Sequence, residues 1–290
     1  MKKVIFLIPV FNDWDSLNKL LIDINNTIIN IENFEFDCII INDCSTIQKP
    51  KISKPSKIKT LSIIDMKKNT GHARCNAFGL RYVNTNGLFD YVILMDGDGE
   101  DRPIEIKSLI QEIKKNPNTS VVAKRIKRSE GLLFQSMYQI HKFITHVFTG
   151  KKINFGNYSC LTSKDVNELS TKASLWSSYS GTVKKNLNKL NEIDSFRGLR
   201  YFGPSKMSLL NLVIHSFSII AVFKYQVFLR SSFALVILSF SNNFIGIYSI
   251  CLQILLVLFN LLIFIISLRE NEKALTASNQ NVLNKIEITR

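Results

Sequence analysis

The sequence has no cysteine pattern. Its five cysteines, Cys38, Cys44, Cys75, Cys160 and Cys251, are odd in number and no two share a CxxC spacing. A disulfide framework and a zinc site are thereby excluded, and free thiols suit a reducing compartment. The chain is also short of acid, with 23 Asp+Glu against 37 Lys+Arg and a net charge of +14. That deficit favours anionic partners: phosphate esters, nucleic acid or an acidic bilayer. Nucleic acid is the weakest of the three, because the basic residues are dispersed and no stacking aromatics interleave with them. The apolar run 4–10 behind Met1-Lys2-Lys3 has no small-residue cleavage site after it and is broken by Pro9, Asn12, Asp13 and Asp15, so it reads as a strand and not as a secretion signal. The last absence is of charge itself. None occurs over the 38 positions 231–268, bounded by Arg230 and Arg269. A bilayer span needs ~20 apolar residues, and a buried core helix of this length would need a far larger domain around it, so the segment is expected in a membrane.

What is present describes an α/β chain. The 290 residues are 46% hydrophobic, enough for a sizeable core and too much for disorder. Short apolar runs at 4–8, 38–41 and 91–95, with a weaker one at 60–64, are rich in β-branched residues. Between the first two, Leu17, Leu20, Leu21, Ile24 and Ile28 recur at helical spacing. This β-α-β order predicts a mostly parallel sheet covered by helices on both faces, in which ligands sit beyond the carboxyl ends of the strands. Polar residues cluster there: Asn12-Asp13, Asn42-Asp43 and Asp96-Gly97-Asp98 each follow an apolar run. The Pro- and Lys-rich stretch 48–57 is a surface loop. Pro103 opens a helix with Ile104, Ile106, Leu109, Ile110 and Ile113 on its apolar face. The expected division is a catalytic domain over 1–206, an interfacial helix region over 207–230, a membrane segment over 231–268 and a polar cytoplasmic tail over 269–290 with no assigned function. Ser241-Asn242-Asn243 marks a turn, and basic residues on both flanks (Lys224, Arg230, Arg269, Lys273) favour a two-helix hairpin with both ends cytoplasmic.

The segment Asp96-Gly97-Asp98-Gly99-Glu100-Asp101 puts four carboxylates in six residues straight after an apolar strand. Charges this close repel, and with no Lys nearby a cation is the natural compensation. With only oxygen donors on offer the ion should be hard, Mg²⁺ or Mn²⁺, shared with substrate phosphates. An EF-hand is excluded because Asp101 stands where its loop needs Gly and Lys107 where it needs Glu. A phosphatase of the haloacid dehalogenase type would need a later Lys and a second acidic pair on strand ends, and no convincing ones are found.

The segments Ile8-Pro-Val-Phe-Asn-Asp13, Ile40-Ile-Asn-Asp-Cys-Ser-Thr46, Asn69-Thr-Gly-His72 with Gly79-Leu80, and Met95-Asp-Gly-Asp-Gly-Glu-Asp-Arg-Pro103 follow one another as they do in family 2 glycosyltransferases. Phe155-Gly-Asn-Tyr-Ser159, Arg197-Gly-Leu-Arg-Tyr201 and Gly203-Pro-Ser-Lys206 extend the likeness, and the branch most similar is the polyprenyl-phosphate glycosyltransferases, dolichyl-phosphate mannose synthase included. The resemblance implies a GT-A fold and inverting transfer from a nucleotide-diphosphate sugar to a polyprenyl phosphate, with the catalytic domain on the cytoplasmic face of the inner or plasma membrane. It implies that Pro9, Phe11, Asp13 and Asp43 hold the base and ribose, with Asp96 and Gly97 at the donor, and that Asp96, Asp98 and Glu100 hold the metal. Asp98 and Asp101 take catalytic roles, the latter as base or acceptor-positioning group, and Arg125, Arg128, Arg200, Ser205 and Lys206 grip the acceptor phosphate. The same fold with a diacylglycerol, ceramide or glycan acceptor is an alternative, and so is a non-catalytic membrane-tethered scaffold. The chain departs from the family pattern where Asn42 replaces an acidic residue, where Cys44 replaces a glycine and where Glu100 replaces a common Gln. His72 reads as a satisfied polar residue of a turn, and Trp176 and Tyr179 as core.

Overall fold

A computed structural model describes residues 1–127, 132–204 and 208–288. The elements in chain order are β1 (Lys2–Val10), α1 (Trp14–Ile28), β2 (Phe34–Asn42), β3 (Ile58–Met66), α2 (His72–Asn86), β4 (Tyr91–Leu94), α3 (Ile106–Lys115), β5 (Val121–Lys127), α4 (Leu132–Thr149), β6 (Phe155–Thr162), α5 (Ser163–Leu169), α6 (Tyr179–Asn186) and β7 (Asn191–Phe196). They are followed by α7 (Leu209–Ala221), α8 (Lys224–Phe240), α9 (Asn242–Ile245), α10 (Ile247–Ser267), α11 (Glu272–Thr276) and β8 (Val282–Ile288). The strands form one sheet in the order β7-β5-β6-β4-β1-β2-β3-β8. Its centre, β4-β1-β2-β3, is parallel, whereas β6 and β8 run antiparallel to their neighbours. The expected α/β class, a mainly parallel sheet between helices, is what the chain adopts.

The apolar spacing explains the layers. Leu17, Leu20, Leu21, Ile24 and Ile28 of α1 pack with Ile106, Leu109, Ile110 and Ile113 of α3 on one face of the sheet. Pro103 opens a single 3₁₀ turn before α3, and Ile104 points outward at 49% exposure, so it does not belong to that apolar face as expected. On the other face Phe78 and Leu80 of α2 pack with Val166, Leu169, Tyr179 and Val183, which makes Tyr179 core as anticipated. Helix α2 lies so close to β1 that a Cβ on Gly79 would stand 2.6 Å from Leu7 Cδ1.

The segment expected as a polar tail is instead structural. After α10 the chain turns back, Lys67 donates its N–H to the Asn281 carbonyl at 2.7 Å, and β8 pairs antiparallel with β3. Without it β3 would be a bare edge with unpaired backbone groups. The sequence signal, Val282 with Ile286-Glu287-Ile288, is short and hemmed by charge, which hides it.

Helices α7 and α8 meet at 83°, and α8 returns through α9 into α10, with Gly246 at φ +53 in the turn and Ser249 Oγ donating to the Leu238 carbonyl at 2.5 Å. Helix α10 is, among the described residues, the one helix long and apolar enough to cross a bilayer unaided, and the bent α7–α8 pair is a second candidate. Helix α4, which the sequence reading left unassigned, packs on this group: the Phe148 and Phe259 rings meet tilted at 42° with centroids 4.6 Å apart, and Arg230 Nη1 donates to the Val147 carbonyl at 2.8 Å.

The contact of α2 with β1 generates the first prediction. Gly79→Val adds three methyl-sized groups against Leu7 and should lower stability by ~1–3 kcal/mol, read as a shift in the denaturation midpoint with an unchanged slope.

Candidate active site

Strands β4, β1 and β2 lie side by side, so their carboxyl ends bring together the loops that begin at residues 95, 11 and 43. The loop after β4 passes β1 closely: a Cβ on Gly97 would stand 2.9 Å from the Pro9 carbonyl oxygen. Asp101, 5% exposed, closes the loop from inside by accepting the Asp96 N–H at 2.9 Å, and Asp98 Oδ1 accepts the Glu100 N–H at 3.0 Å.

The carboxylates, expected to be unpaired, take counter-charges from distant segments. Asp96 Oδ1 lies 3.2 Å from His72 Nε2 and accepts the Asn157 amide at 3.1 Å. Asp98 Oδ2 accepts Arg200 Nη1 at 2.5 Å, while Nη2 of the same arginine binds Asp13. Glu100 is paired with Arg197. Arg200, expected at an acceptor phosphate, bridges two carboxylates here, and Asp101, expected as base or acceptor-positioning group, is turned inward and holds the loop.

Neutralisation is incomplete. Burial, then the neighbouring Asp96 and Glu100, pushes Asp98 up to about 6, and burial with Asp96 pushes Asp101 up to about 8. Burial would raise Asp96 too, but the His72 charge and hydrogen bond hold it well below the usual carboxylate range. The same pair raises His72 against the opposing effect of burial. Among the described residues no three His, Cys, Asp or Glu side chains converge as a ready coordination sphere. Each of the three expected ligands is engaged, Asp96 by His72 and Asn157, Asp98 by Arg200 and Glu100 by Arg197. Oxygen donors with surplus negative charge do fit Mg²⁺ or Mn²⁺, ions that take few protein carboxylates and complete their shell with phosphate oxygens and water.

The rim is built by hydrogen bonds. Both oxygens of Asp43, 3% exposed, accept backbone N–H groups, Thr70 at 2.7 Å and Gly71 at 2.8 Å, fixing the turn that starts α2. Asn42 donates to Asp65 at 2.7 Å. Cys44 has φ +60, a left-handed conformation that favours glycine. Asn12, itself at φ 52, accepts the N–H groups of Thr46 and Ile47 at 2.8 and 3.0 Å and clips this loop to the end of β1. Pro9 is buried in β1 opposite Ile41, Phe11 is half-buried just beyond it, and Asp13 precedes α1 with its carboxylate on Arg200. Arg125 lies across Gly156, where a Cβ would meet its Nη2, and its charge reaches Asp96 and Asp101. Arg128, Ser205 and Lys206 lie outside the described residues. Sequence reasoning passed over Asn12, Asn157, Arg197 and the charged role of His72, although each stands in one of the motif segments quoted above.

The raised groups give a pH dependence. Asp98 and Asp101 titrate above their unfolded value near 3.8, and His72 above 6.5, so each contributes stability that is present at low pH and lost as pH rises through its folded value. The melting temperature of the metal-free protein should fall by several degrees between pH 5 and 8.5, and Asp98→Asn should flatten this slope in calorimetry.

A family model described as Glycosyl transferase family 2 matches residues 5–178. An uncharacterised protein of Methanocaldococcus jannaschii is 27% identical over 115 residues, covering 38% of this chain, and the chain spans 47% of that relative's length. Among solved structures, glucosyl-3-phosphoglycerate synthase from Mycobacterium tuberculosis, in complex with Mn²⁺, UDP-glucose and phosphoglyceric acid, aligns with a TM-score of 0.53 at 12% identity over 78% of this chain and 80% of that one. TarS 1-349 of S. aureus aligns with a TM-score of 0.46 at 12% identity over 84% of this chain and 72% of that one. With a GT-A fold whose strand ends gather the carboxylates of the acidic loop, and a family match over more than half its length, the chain belongs to glycosyl transferase family 2 and is a glycosyltransferase.

Proposed function

We propose that the chain moves a sugar, with inversion, from a nucleotide-diphosphate sugar to a polyprenyl phosphate at the cytoplasmic face of the inner or plasma membrane. The observation that carries this reading is the adjacency of the acidic loop to exposed apolar helices. His215 of α7 is near enough to His72, Arg125 and Asp96 to feel their charges, α7 packs with α10, and α8 and α10 expose Phe233 at 68%, Phe240 at 79% and Leu255 at 62%. Side chains so apolar and so exposed need a non-aqueous solvent. The strands that flank the apolar helices, β7 before them and β8 after, belong to one sheet, as expected if both ends of the apolar segment lie on one side of a bilayer. That supports a two-helix hairpin with the enzyme on a single face, within the expected division into a catalytic domain over 1–206, an interfacial region over 207–230 and a membrane segment over 231–268.

The chemistry follows from the residues. The ends of β1 and β2 and the loops after them, bearing Pro9, Phe11, Asp13 and Asp43, receive the base and ribose, with Asp96 and Gly97 at the donor. A divalent ion on Asp96 and Asp98 would stabilise the charge that develops on the departing diphosphate. An acceptor phosphate oxygen is already ionised, which fits an Asp101 spent on loop geometry and not free as a base. Arg125, beside Asp96, orients that phosphate, joined by Arg128, Ser205 and Lys206. The Mycobacterium tuberculosis structure holds a UDP-sugar, Mn²⁺ and a phosphate-bearing compound together, which supports both the donor class and the ion.

Purified protein supplied with labelled nucleotide sugars, Mn²⁺ and polyprenyl phosphate should yield a glycolipid labile to mild acid, as a sugar on a lipid phosphate is. An acid-stable lipid product would shift the acceptor to a diacylglycerol or ceramide, and no transfer across a broad donor panel would overturn the reading. Asp98→Asn should lower the rate by ~100-fold or more, the scale of a lost electrostatic contact at the reacting centre, with the fold intact by circular dichroism.

A further inference from the structure

The segment 195–201 is fastened to the acidic loop in two independent ways. Its backbone is pinned: Ser195 Oγ and the Phe196 N–H donate to Glu105 at 2.7 and 2.9 Å, the Gly198 N–H donates to the Glu100 carbonyl at 2.8 Å, and the Tyr201 N–H donates to the Asp98 carbonyl at 3.0 Å. Tyr201 Oη donates to Asp23 at 2.7 Å, and its ring fills the place a Cβ on Gly99 would take. Gly198 can hold no side chain, since its Cβ would be 2.9 Å from the Gly99 carbonyl oxygen. The second fastening is by charge. Arg197 sits on Glu100, and Arg200 spans Asp98 and Asp13. The arginine side chains can therefore leave while the backbone stays.

They would have to leave, or at least turn. Asp98 Oδ2, the oxygen facing Arg200, is one of the few donors the site offers to a divalent ion, and a guanidinium and a metal cation on the same carboxylate repel one another. Arg200 is also imperfectly satisfied where it is, with its buried Nε lacking a partner among the described residues. A guanidinium released there would stand beside the phosphate oxygens that arrive with the ion, which it is shaped to grip in pairs.

We propose that Arg197 and Arg200 are exchangeable counter-cations: they neutralise the acidic loop before the donor binds, compete with free divalent ions for it, and transfer to phosphate oxygens once ion and diphosphate dock together. This rests on the metal-dependent reading above and goes beyond it, because it makes the resting site resist bare metal and orders the loading. Arg200 is then a positioning residue that acts on the metal through Asp98.

The test is Mn²⁺ binding to the full chain, followed by the loss of the free-ion electron paramagnetic resonance signal without and with inorganic pyrophosphate, and then with a short polyprenyl phosphate. The wild type should bind Mn²⁺ alone weakly and tighten at least tenfold with pyrophosphate. Arg200→Ala should bind Mn²⁺ alone about tenfold more tightly than wild type and gain less from pyrophosphate, Arg200→Lys should restore the weak binding, and Arg197→Ala should follow Arg200→Ala in a smaller degree. Loss of the gain with pyrophosphate assigns the released arginines to the donor, and loss with polyprenyl phosphate assigns them to the acceptor. Equal or weaker affinity for Mn²⁺ alone in folded Arg200→Ala and Arg197→Ala, judged by circular dichroism, would overturn the exchange while leaving the enzyme reading intact. If Arg200→Ala does not fold, Arg197→Ala decides alone. Failure of every form, wild type included, to bind Mn²⁺ even with pyrophosphate would instead remove the metal from the proposed function and the exchange with it.

Discussion

Negative charge crowded at the carboxyl ends of three adjacent strands is the constraint around which the rest of the chain is arranged. Strand order β4-β1-β2 leaves no choice about where the loops at 95, 11 and 43 emerge, and the loop after β4 brings four carboxylates with it. Such a cluster persists in a folded protein only if cations are brought to it. The chain delivers them from the start of α2, from β5 and from the segment after β7, so distant stretches of sequence are held in register by one electrostatic demand.

That arrangement explains which parts are legible in the sequence. The strand ends are, because buried parallel strands read as apolar runs and their polar exits stand out against them. Asp96, Asp98 and Asp13 were found for this reason. Their pairing with Arg197 and Arg200 was not, because these arginines lie 97 to 187 positions from the carboxylates they neutralise and no local spacing connects them. His72 resembles any turn histidine until Asp96 is seen beside it. Strand β8 was missed on different grounds: an edge strand needs only one covered face, and seven residues with two charges among them carry almost no pattern.

The catalytic sheet and the apolar helices are not separate modules joined by a linker. Val222 and Phe223, just after α7, are buried in the cluster beneath α2 and α6, and Lys185 Nζ of α6 donates to the Val222 carbonyl at 2.7 Å. A displacement of the helices is thus mechanically close to the site, and a change of charge at the site is close to the helices.

Strand β8 has a further consequence, for biogenesis. Lys67, at the end of β3, bonds to Gln280, 213 positions later, so the outer edge of the sheet stays open on the ribosome until α8 and α10 have been made. Ribosomes that stall or truncate the chain before residue 282 release a domain with an unsealed β edge. Synthesis of the apolar helices therefore comes before closure of the sheet, and a product that stops short of β8 is left prone to pair with its own copies.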